Sequence, residues 1–260
     1  MPPKKIEKSA KSSAPKKQQF DLLAIPDVVT TGSTSKTTPI SFIKTTDFAK
    51  WSGKQTTAVQ NQLSAQGFVA KPSQVAMTTG DDGKINAVYI GRGASIGLYT
   101  VCGAIDKIGT GKFHIDQTGI TDADMQNIIT GWILACYRFN AFKAGTTTFP
   151  QLVLDKKTDA TRAEHMARAV YLIRNLVNLP PNALGPQALA DAAVMVAKLF
   201  KAKSTVIEDT DLLTQNFPMI YAVGDGSERR PRLVDFTWGN AKHPKVTLVG
   251  KGVCFDTGGY

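Results

Sequence analysis

The sequence predicts an α/β protein in two parts: a small N-terminal α/β domain, followed by the start of a second α/β domain with a mixed central sheet covered by helices. Its 260 residues correspond to one large or two modest domains at about 150 residues per domain. Helical and strand-like patterns alternate along the chain, which is typical of a sheet covered on both faces. Hydrophobic residues make up 42% and charged residues 20%, which excludes a wholly disordered chain or a coiled coil.

The chain is basic, with a net charge of +10, and half of this excess lies in residues 1–19. That segment holds six lysines and a single acid, Glu7, among Pro, Ser and Ala residues. Such a composition cannot bury enough apolar surface to offset its ordering entropy, so we predict a disordered basic tail. The tail suits a weak contact with nucleic acid or another anionic surface, or a plain solubilising extension.

Cysteine usage and hydropathy indicate the compartment. The three cysteines, Cys102, Cys136 and Cys254, are an odd and scattered set, as expected in a reducing environment. No stretch approaches the roughly 20 apolar residues of a membrane span. The N-terminal lysines are not followed by the apolar region of a secretory signal. We therefore expect a cytoplasmic protein without a membrane partner.

Residues 20–150 are assigned to the N-terminal α/β domain. Turn residues and β-rich runs divide its first part. The predicted elements are an edge strand at Asp21–Pro26, a loop at Gly32–Pro39, a helix at Val59–Gln66, a turn at Asp81–Gly83 and a strand at Asn86–Ile90. A second helix is expected from Thr121, because Thr121 and Asp124 resemble a capping pair ahead of a helical apolar pattern.

Residues 151–260 are assigned to the second domain, with the junction placed within 145–159. Its clearest helix should begin with a capping box at Thr161 and Glu164. The apolar residues Met166, Val170, Ile173 and Val177 follow at helical spacing. Further elements are a helix opening at Pro186, a strand at Ser204–Ile207, a short helix at Leu212–Tyr221, and strands at Arg232–Trp238 and Lys245–Val249.

The residues most suited to chemistry follow the last predicted strand. There, Lys251 and Asp256 lie among four glycines, at a strand's carboxyl end, where ligands bind in open α/β sheets. Asp256 is a hard oxygen ligand for Mg²⁺, Mn²⁺ or Zn²⁺, and Lys251 can bind a metal only as the neutral amine, which a nearby dication favours. Two alternatives remain open: a phosphate-binding lysine, although the glycine spacing is wrong, or a tight turn with a Lys–Asp ion pair.

Three segments together resemble one known family. Residues 249–259, Val-Gly-Lys-Gly-Val-Cys-Phe-Asp-Thr-Gly-Gly, are similar to the metal-binding segment of the leucyl aminopeptidases, the cytosol aminopeptidases of peptidase family M17. Residues 174–182, Arg-Asn-Leu-Val-Asn-Leu-Pro-Pro-Asn, resemble the start of that family's catalytic domain. Residues 222–234 resemble its segment of small residues followed by Pro-Arg-Leu. The three segments occur in the family's order.

The resemblance implies a two-metal site for Mn²⁺ or Zn²⁺. By position, Lys251 corresponds to a lysine that coordinates one metal ion, and Asp256 to an aspartate that bridges both. The family's other ligands, its catalytic lysine and its catalytic arginine have no counterpart before Tyr260. The resemblance therefore implies no catalytic residue within this chain. We expect an incomplete catalytic domain that binds metal weakly and has no peptidase activity as given.

For the complete enzyme, the resemblance implies metal-assisted release of N-terminal amino acids from peptide substrates. A metal-bridging hydroxide attacks the first peptide carbonyl, and the metal ions stabilise the developing oxyanion. The family resemblance also implies a homo-oligomer, typically a hexamer. The competing hypothesis is a nucleic-acid-binding module that acts through the basic tail and the N-terminal domain.

Overall fold

The computed structural model describes residues 20–254 of the chain, and its strands form two separate sheets. β1 to β6 belong to a six-stranded sheet, and β7 and β8 to a two-stranded one. The strands are β1 (Val29–Thr31), β2 (Thr38–Lys44), β3 (Val75–Thr79), β4 (Ile85–Arg92), β5 (Lys112–Ile115), β6 (Gln151–Leu154), β7 (Lys203–Glu208) and β8 (Arg232–Thr237).

The helices lie between these strands in the α/β order that the sequence predicts, and the fold class is confirmed. A 3-10 turn at Thr45–Asp47 precedes the first of them. The helices are α1 (Phe48–Ser52), α2 (Thr57–Ala65), α3 (Cys102–Ile108), α4 (Asp122–Ala135), α5 (Thr161–Asn178), α6 (Pro186–Leu199), α7 (Asp211–Thr214) and α8 (Pro218–Gly224). None of these described helices is both long and apolar enough to cross a membrane.

The larger sheet has the strand order β1-β6-β5-β2-β4-β3. Its strands pair in parallel except for β3, which is antiparallel to β4. Because side chains alternate along a strand, Ile40 and Phe42 of β2 face the main core together with Val88 and Ile90 of β4. Helices α3, α4 and α5 cover this face of the sheet, and Trp132 of α4 is completely buried there.

A smaller apolar cluster covers part of the opposite face. Ile43 and Tyr89 of the sheet pack there with Leu63 of α2 and with Phe68, and Trp51 of α1 lies against them. The two helices thus cover the β3–β4 side of this face and leave the strand ends near β5 open, where a groove forms.

The capping pair predicted at the start of α4 is confirmed. The Thr121 hydroxyl accepts a hydrogen bond from the amide of Asp124 at 3.1 Å, and the Asp124 carboxylate accepts one from the amide of Thr121 at 3.2 Å. This reciprocal arrangement satisfies two amides that would otherwise have no partner in the first turn.

The capping box predicted at Thr161 is wrong. Thr161 is the first residue of α5 rather than its cap, and Ala160 at the cap makes no side-chain bond. Instead, the Asp159 carboxylate accepts a hydrogen bond from the Thr161 amide at 2.9 Å. The acidic residue two positions earlier has displaced the threonine from the capping role.

Helix α5 buries a different face from the one that the apolar spacing predicts. Its buried residues are Ala163, Ala167, Tyr171 and Asn175, which pack against α4. The predicted apolar stripe lies largely outside: Met166 is 48% exposed, Ile173 61% and Val177 78%. Small alanines allow the close helix approach, and hydrogen bonds satisfy the buried Asn175: its amide donates to the Leu22 carbonyl, and its carbonyl accepts from the Tyr137 hydroxyl.

Two predictions near the N-terminus of the described chain are wrong. Asp21–Pro26 is not a strand; the first strand, β1, starts at Val29 and pairs with β6. The predicted loop Gly32–Pro39 ends early, because β2 already starts at Thr38. The ladder with β4 begins at Ile40, so Pro39 occupies the start of the strand, where its missing amide is tolerated.

The junction between the two predicted domains remains a prediction. β6 lies just after the predicted boundary, and it pairs with both β1 and β5 of the six-stranded sheet. The predicted tail, residues 1–19, lies outside the described residues, as do residues 255–260 at the end of the predicted second domain.

The second half of the described chain is built around α6 and the antiparallel pair β7–β8. The strand predicted at Lys245–Val249 is wrong, since these residues form no strand. Leu248 is 91% exposed and Val249 93% exposed. Within residues 20–254 this segment pairs with no neighbouring strand, so its backbone makes no ladder hydrogen bonds, although its residue pattern favours a strand.

Candidate functional site

Lys251 lies in an irregular segment that follows the exposed residues 246–249. Its side chain is exposed, and it takes part in no salt bridge within residues 20–254. Asp256, the other predicted metal ligand, lies outside the described residues. The predicted pairing of Lys251 with Asp256 therefore remains a prediction, and so do both alternatives, the phosphate-binding lysine and the tight turn.

The segment around Lys251 lies against helix α6. A methyl group added at Gly252 would meet Leu189 Cδ2 at 2.7 Å, so only glycine allows this approach without displacement of the leucine. Nearby, Cys254 is half-buried. Burial raises the pKa of the Cys254 thiol, which disfavours the thiolate that a soft metal would need.

Arginines in the segment 222–234 connect it to other parts of the second half. Arg232 forms an ion pair with Glu208 across the two-stranded sheet. Arg230 contacts Asp225 at 3.4 Å and Asp209 at 3.7 Å. Arg229 donates a hydrogen bond to the carbonyl of Pro181. Two of the three family-like segments, 174–182 and 222–234, are thus in direct contact.

The segment 174–182 also holds the two halves of the described chain together. The Arg174 guanidinium donates to the Leu134 carbonyl at 2.9 Å and lies 5.3 Å from the centroid of the Tyr137 ring. The Asn175 amide donates to the Leu22 carbonyl at 2.9 Å. These contacts give the first residues of this segment a structural role.

The donor set for a metal ion is incomplete in the described residues. Residues 20–254 contain no cluster of three or more His, Cys, Asp or Glu side chains close enough to hold a metal. Lys251 alone supplies one amine, which is too few donors for a tetrahedral or octahedral site. The described residues do not by themselves fit a two-metal centre.

A polar groove on the open face of the larger sheet was missed by the sequence reasoning. It is lined by residues of β2, β4, β5 and α1, among them Ser41, Trp51 and Asp116. The sequence signal for this groove is the alternation of Pro39 and Ser41 with the buried Ile40 and Phe42. Such alternation indicates a strand with one face outside the main core. The loop predicted at Gly32–Pro39 hides that signal, because it removes Pro39 from the strand.

Nucleic-acid binding, the competing hypothesis, was assigned to the basic tail and the N-terminal domain together; the tail, residues 1–19, lies outside the described part of the chain, and no comparison supports this hypothesis. It remains a prediction.

Two models of the same protein family together match most of the chain. Residues 38–155 match the model described as "M17 aminopeptidase, N-terminal domain". Residues 171–260 match the model described as "Cytosol aminopeptidase family, catalytic domain". The two models match in the order in which the sequence places the two domains.

Similar curated proteins carry the same description. A probable cytosol aminopeptidase of Corynebacterium efficiens is 31% identical over 227 residues, covering 81% of this chain and 45% of the relative. One of Mycobacterium marinum is 38% identical over 148 residues, covering 50% of this chain and 28% of the relative. The chain thus spans less than half the length of these relatives.

Solved structures agree on the fold. The crystal structure of a cytosol aminopeptidase from Coxiella burnetii superposes with a TM-score of 0.79 at 33% identity, covering 90% of this chain and 51% of that one. The bottromycin maturation enzyme BotP, solved in complex with Mn, has a TM-score of 0.60 at 22% identity, covering 83% and 46%. At that identity BotP supports the fold alone.

Proposed function

Since this chain belongs to the cytosol aminopeptidase family M17, we propose that it acts in the metal-dependent release of N-terminal amino acids from peptides. The observation that carries the proposal is the match to both family domains in sequence order, together with the superposition on the Coxiella burnetii enzyme. Because the chain spans about half of the Coxiella burnetii enzyme and less than half of the curated relatives, the activity, substrate and metal ions of the whole protein all belong to the proposal.

The role proposed for this chain's own residues is to supply part of the metal site. Lys251 and Asp256 would both hold divalent ions, with Mn²⁺ or Zn²⁺ as the candidates. When bound, such ions lower the pKa of water and polarise a carbonyl group. The chain's part is to present a neutral amine and a carboxylate near each other, on glycine-rich backbone that can approach a ligand closely.

Activity assays on two forms of the protein test the proposal. The protein in its full natural length should hydrolyse leucine amide in the presence of Mn²⁺ and lose this activity on treatment with a chelator. The 260-residue chain alone should show no turnover above the blank, because its described residues offer too few metal donors. Activity of the full-length protein that resists the chelator, or robust turnover by the 260-residue chain, would contradict the proposal.

We also propose that the protein forms a homo-oligomer, as the family resemblance implies. The exposed apolar side chains of α5, among them Ile173 and Val177, support self-association, because a contiguous exposed apolar patch marks an interaction surface. We expect Ile173→Lys to shift the sedimentation coefficient of the full-length protein towards the monomer. The control is Val69→Lys, at an exposed valine in the first half. Equal effects of the two variants, or none for Ile173→Lys, would contradict this role of α5.

The cytoplasmic location expected from the sequence also remains part of the proposal. Its support is the description of the relatives as cytosol aminopeptidases.

A further inference from the structure

The polar groove on the larger sheet has a floor made by three adjacent strands. In the strand register, Ser41 of β2 lies opposite Tyr89 of β4, and Pro39 of β2 lies opposite His114 of β5. Asp116, two residues after His114, lies beside Ser41 and accepts a hydrogen bond from its hydroxyl at 3.0 Å. These side chains share one face of the sheet, because alternate residues of a strand point to the same side.

An aromatic wall closes one side of the groove. Trp51 of α1 packs edge to face on Tyr89, with ring centroids 5.1 Å apart and an interplanar angle of 61°. The cavity has a volume of about 510 Å³, within the usual range for small-molecule sites. Its lining also includes Gln55, Ala87, Ile115 and Gln117.

Asp116 is held as a carboxylate by its surroundings. Burial raises the pKa of Asp116, but hydrogen bonds from Thr118 and Ser41 and the nearby His114 ring together lower it below its ordinary value. The carboxylate accepts from the Thr118 hydroxyl at 2.7 Å and from the Thr118 amide at 3.1 Å. Two carboxylate oxygens offer about four acceptor positions, so three accepted bonds leave room for one more donor.

The charge of the groove is opposite to that of the protein. The chain as a whole carries +10, yet no lysine or arginine within residues 20–254 lines this cavity. Asp116 also takes part in no salt bridge within residues 20–254. Among the described residues Asp116 thus faces the His114 ring but pairs with no lysine or arginine, and it shares the lining with the Trp51 and Tyr89 rings. A carboxylate and aromatic rings in one groove are a combination that suits an organic cation.

We propose that this groove binds the cationic side chain of a lysine- or arginine-containing peptide. The ammonium or guanidinium group donates to Asp116, and the apolar stem of the side chain lies against Trp51 and Tyr89. The site is separate from the segment around Lys251, because that segment follows strand β8 of the two-stranded sheet. It gives the protein a contact for basic peptides that does not depend on the proposed hydrolytic activity.

Binding of a capped lysine tests the proposal directly. The probe is Nα-acetyl-lysine methylamide, titrated into the protein at neutral pH, with binding followed through the indole N–H resonance of Trp51. Its neutral counterpart is Nα-acetyl-norleucine methylamide, which keeps the apolar stem and lacks the ammonium group. We expect saturable binding of the lysine probe and at least about tenfold weaker binding of the norleucine probe, the usual effect of losing one charge-assisted hydrogen bond.

Matched variants separate the groove from general charge effects. Asp116→Asn should weaken binding of the lysine probe about tenfold or more. Asp106→Asn makes the same charge change at an exposed carboxylate of α3, which pairs with Arg138 at 3.2 Å, and should leave the affinity unchanged. Trp51→Leu, followed by calorimetry, should weaken binding about threefold through loss of the cation–aromatic contact, and it keeps the test valid if Asp116→Asn does not fold.

Three results would overturn the assignment of the groove. The first is equal binding of the lysine and norleucine probes, and the second is equal weakening by Asp106→Asn and Asp116→Asn. The third is no saturable binding of the lysine probe by the folded protein.

Discussion

Replacing Lys251 with arginine in the full-length protein should abolish peptide hydrolysis even though the positive charge is kept. A lysine can bind a metal ion only through its neutral amine, and a guanidinium cannot lose its proton in a protein. Even residues that only orient metal ligands change activity by about 10–100-fold, so loss of a ligand itself should lower kcat by at least about 100-fold. The measurement is kcat for leucine amide with saturating Mn²⁺.

The same substitution separates the metal site from the ion-pair alternative. If Lys251 only forms a salt bridge with Asp256 in a tight turn, arginine preserves that bridge and the enzyme stays active. Lys245→Arg is the matched control, because Lys245 is a nearby exposed lysine with no proposed ligand role. Activity of Lys251→Arg comparable to that of Lys245→Arg would therefore contradict the metal-ligand role.

A second large effect is expected at Gly131 of α4, a helix that packs on the larger sheet. A methyl group added at Gly131 would overlap the Leu98 carbonyl oxygen and would lie 3.0 Å from Val101 Cγ1. The overlap is with backbone, which cannot move aside as a flexible side chain can. We expect Gly131→Ala to lower the free energy of unfolding by about 2–3 kcal/mol, an overpacking effect larger than the gain in helix propensity.

Gly103 of α3 is the matched control for this prediction. A methyl group there would lie 3.6 Å from the Ser73 carbonyl oxygen, an ordinary contact. Gly103→Ala should therefore be neutral or should stabilise the protein by about 0.5 kcal/mol, because alanine restricts the unfolded chain. Urea denaturation of both variants measures the difference, and equal stabilities would contradict the packing described around α4.

Local patterns predicted those elements whose stability is mainly local. The capping pair Thr121–Asp124 satisfies its own amides, and Pro186 starts α6 at the first helical position. Both signals act within one helical turn, so they do not depend on the rest of the fold. The strand predicted at Ser204–Ile207 is confirmed as part of β7, although β7 also needs its partner β8.

Other elements depend on partners that are distant in sequence. The apolar pattern at Lys245–Val249 predicts a strand, but a strand needs a hydrogen-bonded neighbour, and the described residues provide none. In α5, hydrophobic size favoured the stripe through Ile173 as the buried face. Because α4 approaches closely, the face with the small residues Ala163 and Ala167 is buried instead. A ranking of residues by hydrophobicity alone does not predict this choice of face.

The two candidate sites, the segment with Lys251 and Asp256 and the groove on the larger sheet, also differ in how far apart their residues lie in the sequence. Lys251 and Asp256 lie five residues apart in one glycine-rich segment, so the sequence alone indicates them. The groove needs β2, β4 and β5 side by side, so its residues, from Ser41 to Asp116, are scattered along the sequence. Only the strand register brings Ser41, Tyr89 and Asp116 together.

We propose that Lys251 and Asp256 hold divalent cations, and a crystal of the full-length protein soaked in Mn²⁺ tests this proposal most directly. We predict anomalous difference density within bonding distance of both Lys251 Nζ and Asp256, at roughly 2.0–2.3 Å as for other small divalent ions. Lys251 Nζ directed into solvent, with manganese bound elsewhere or not at all, would contradict this metal-ligand role.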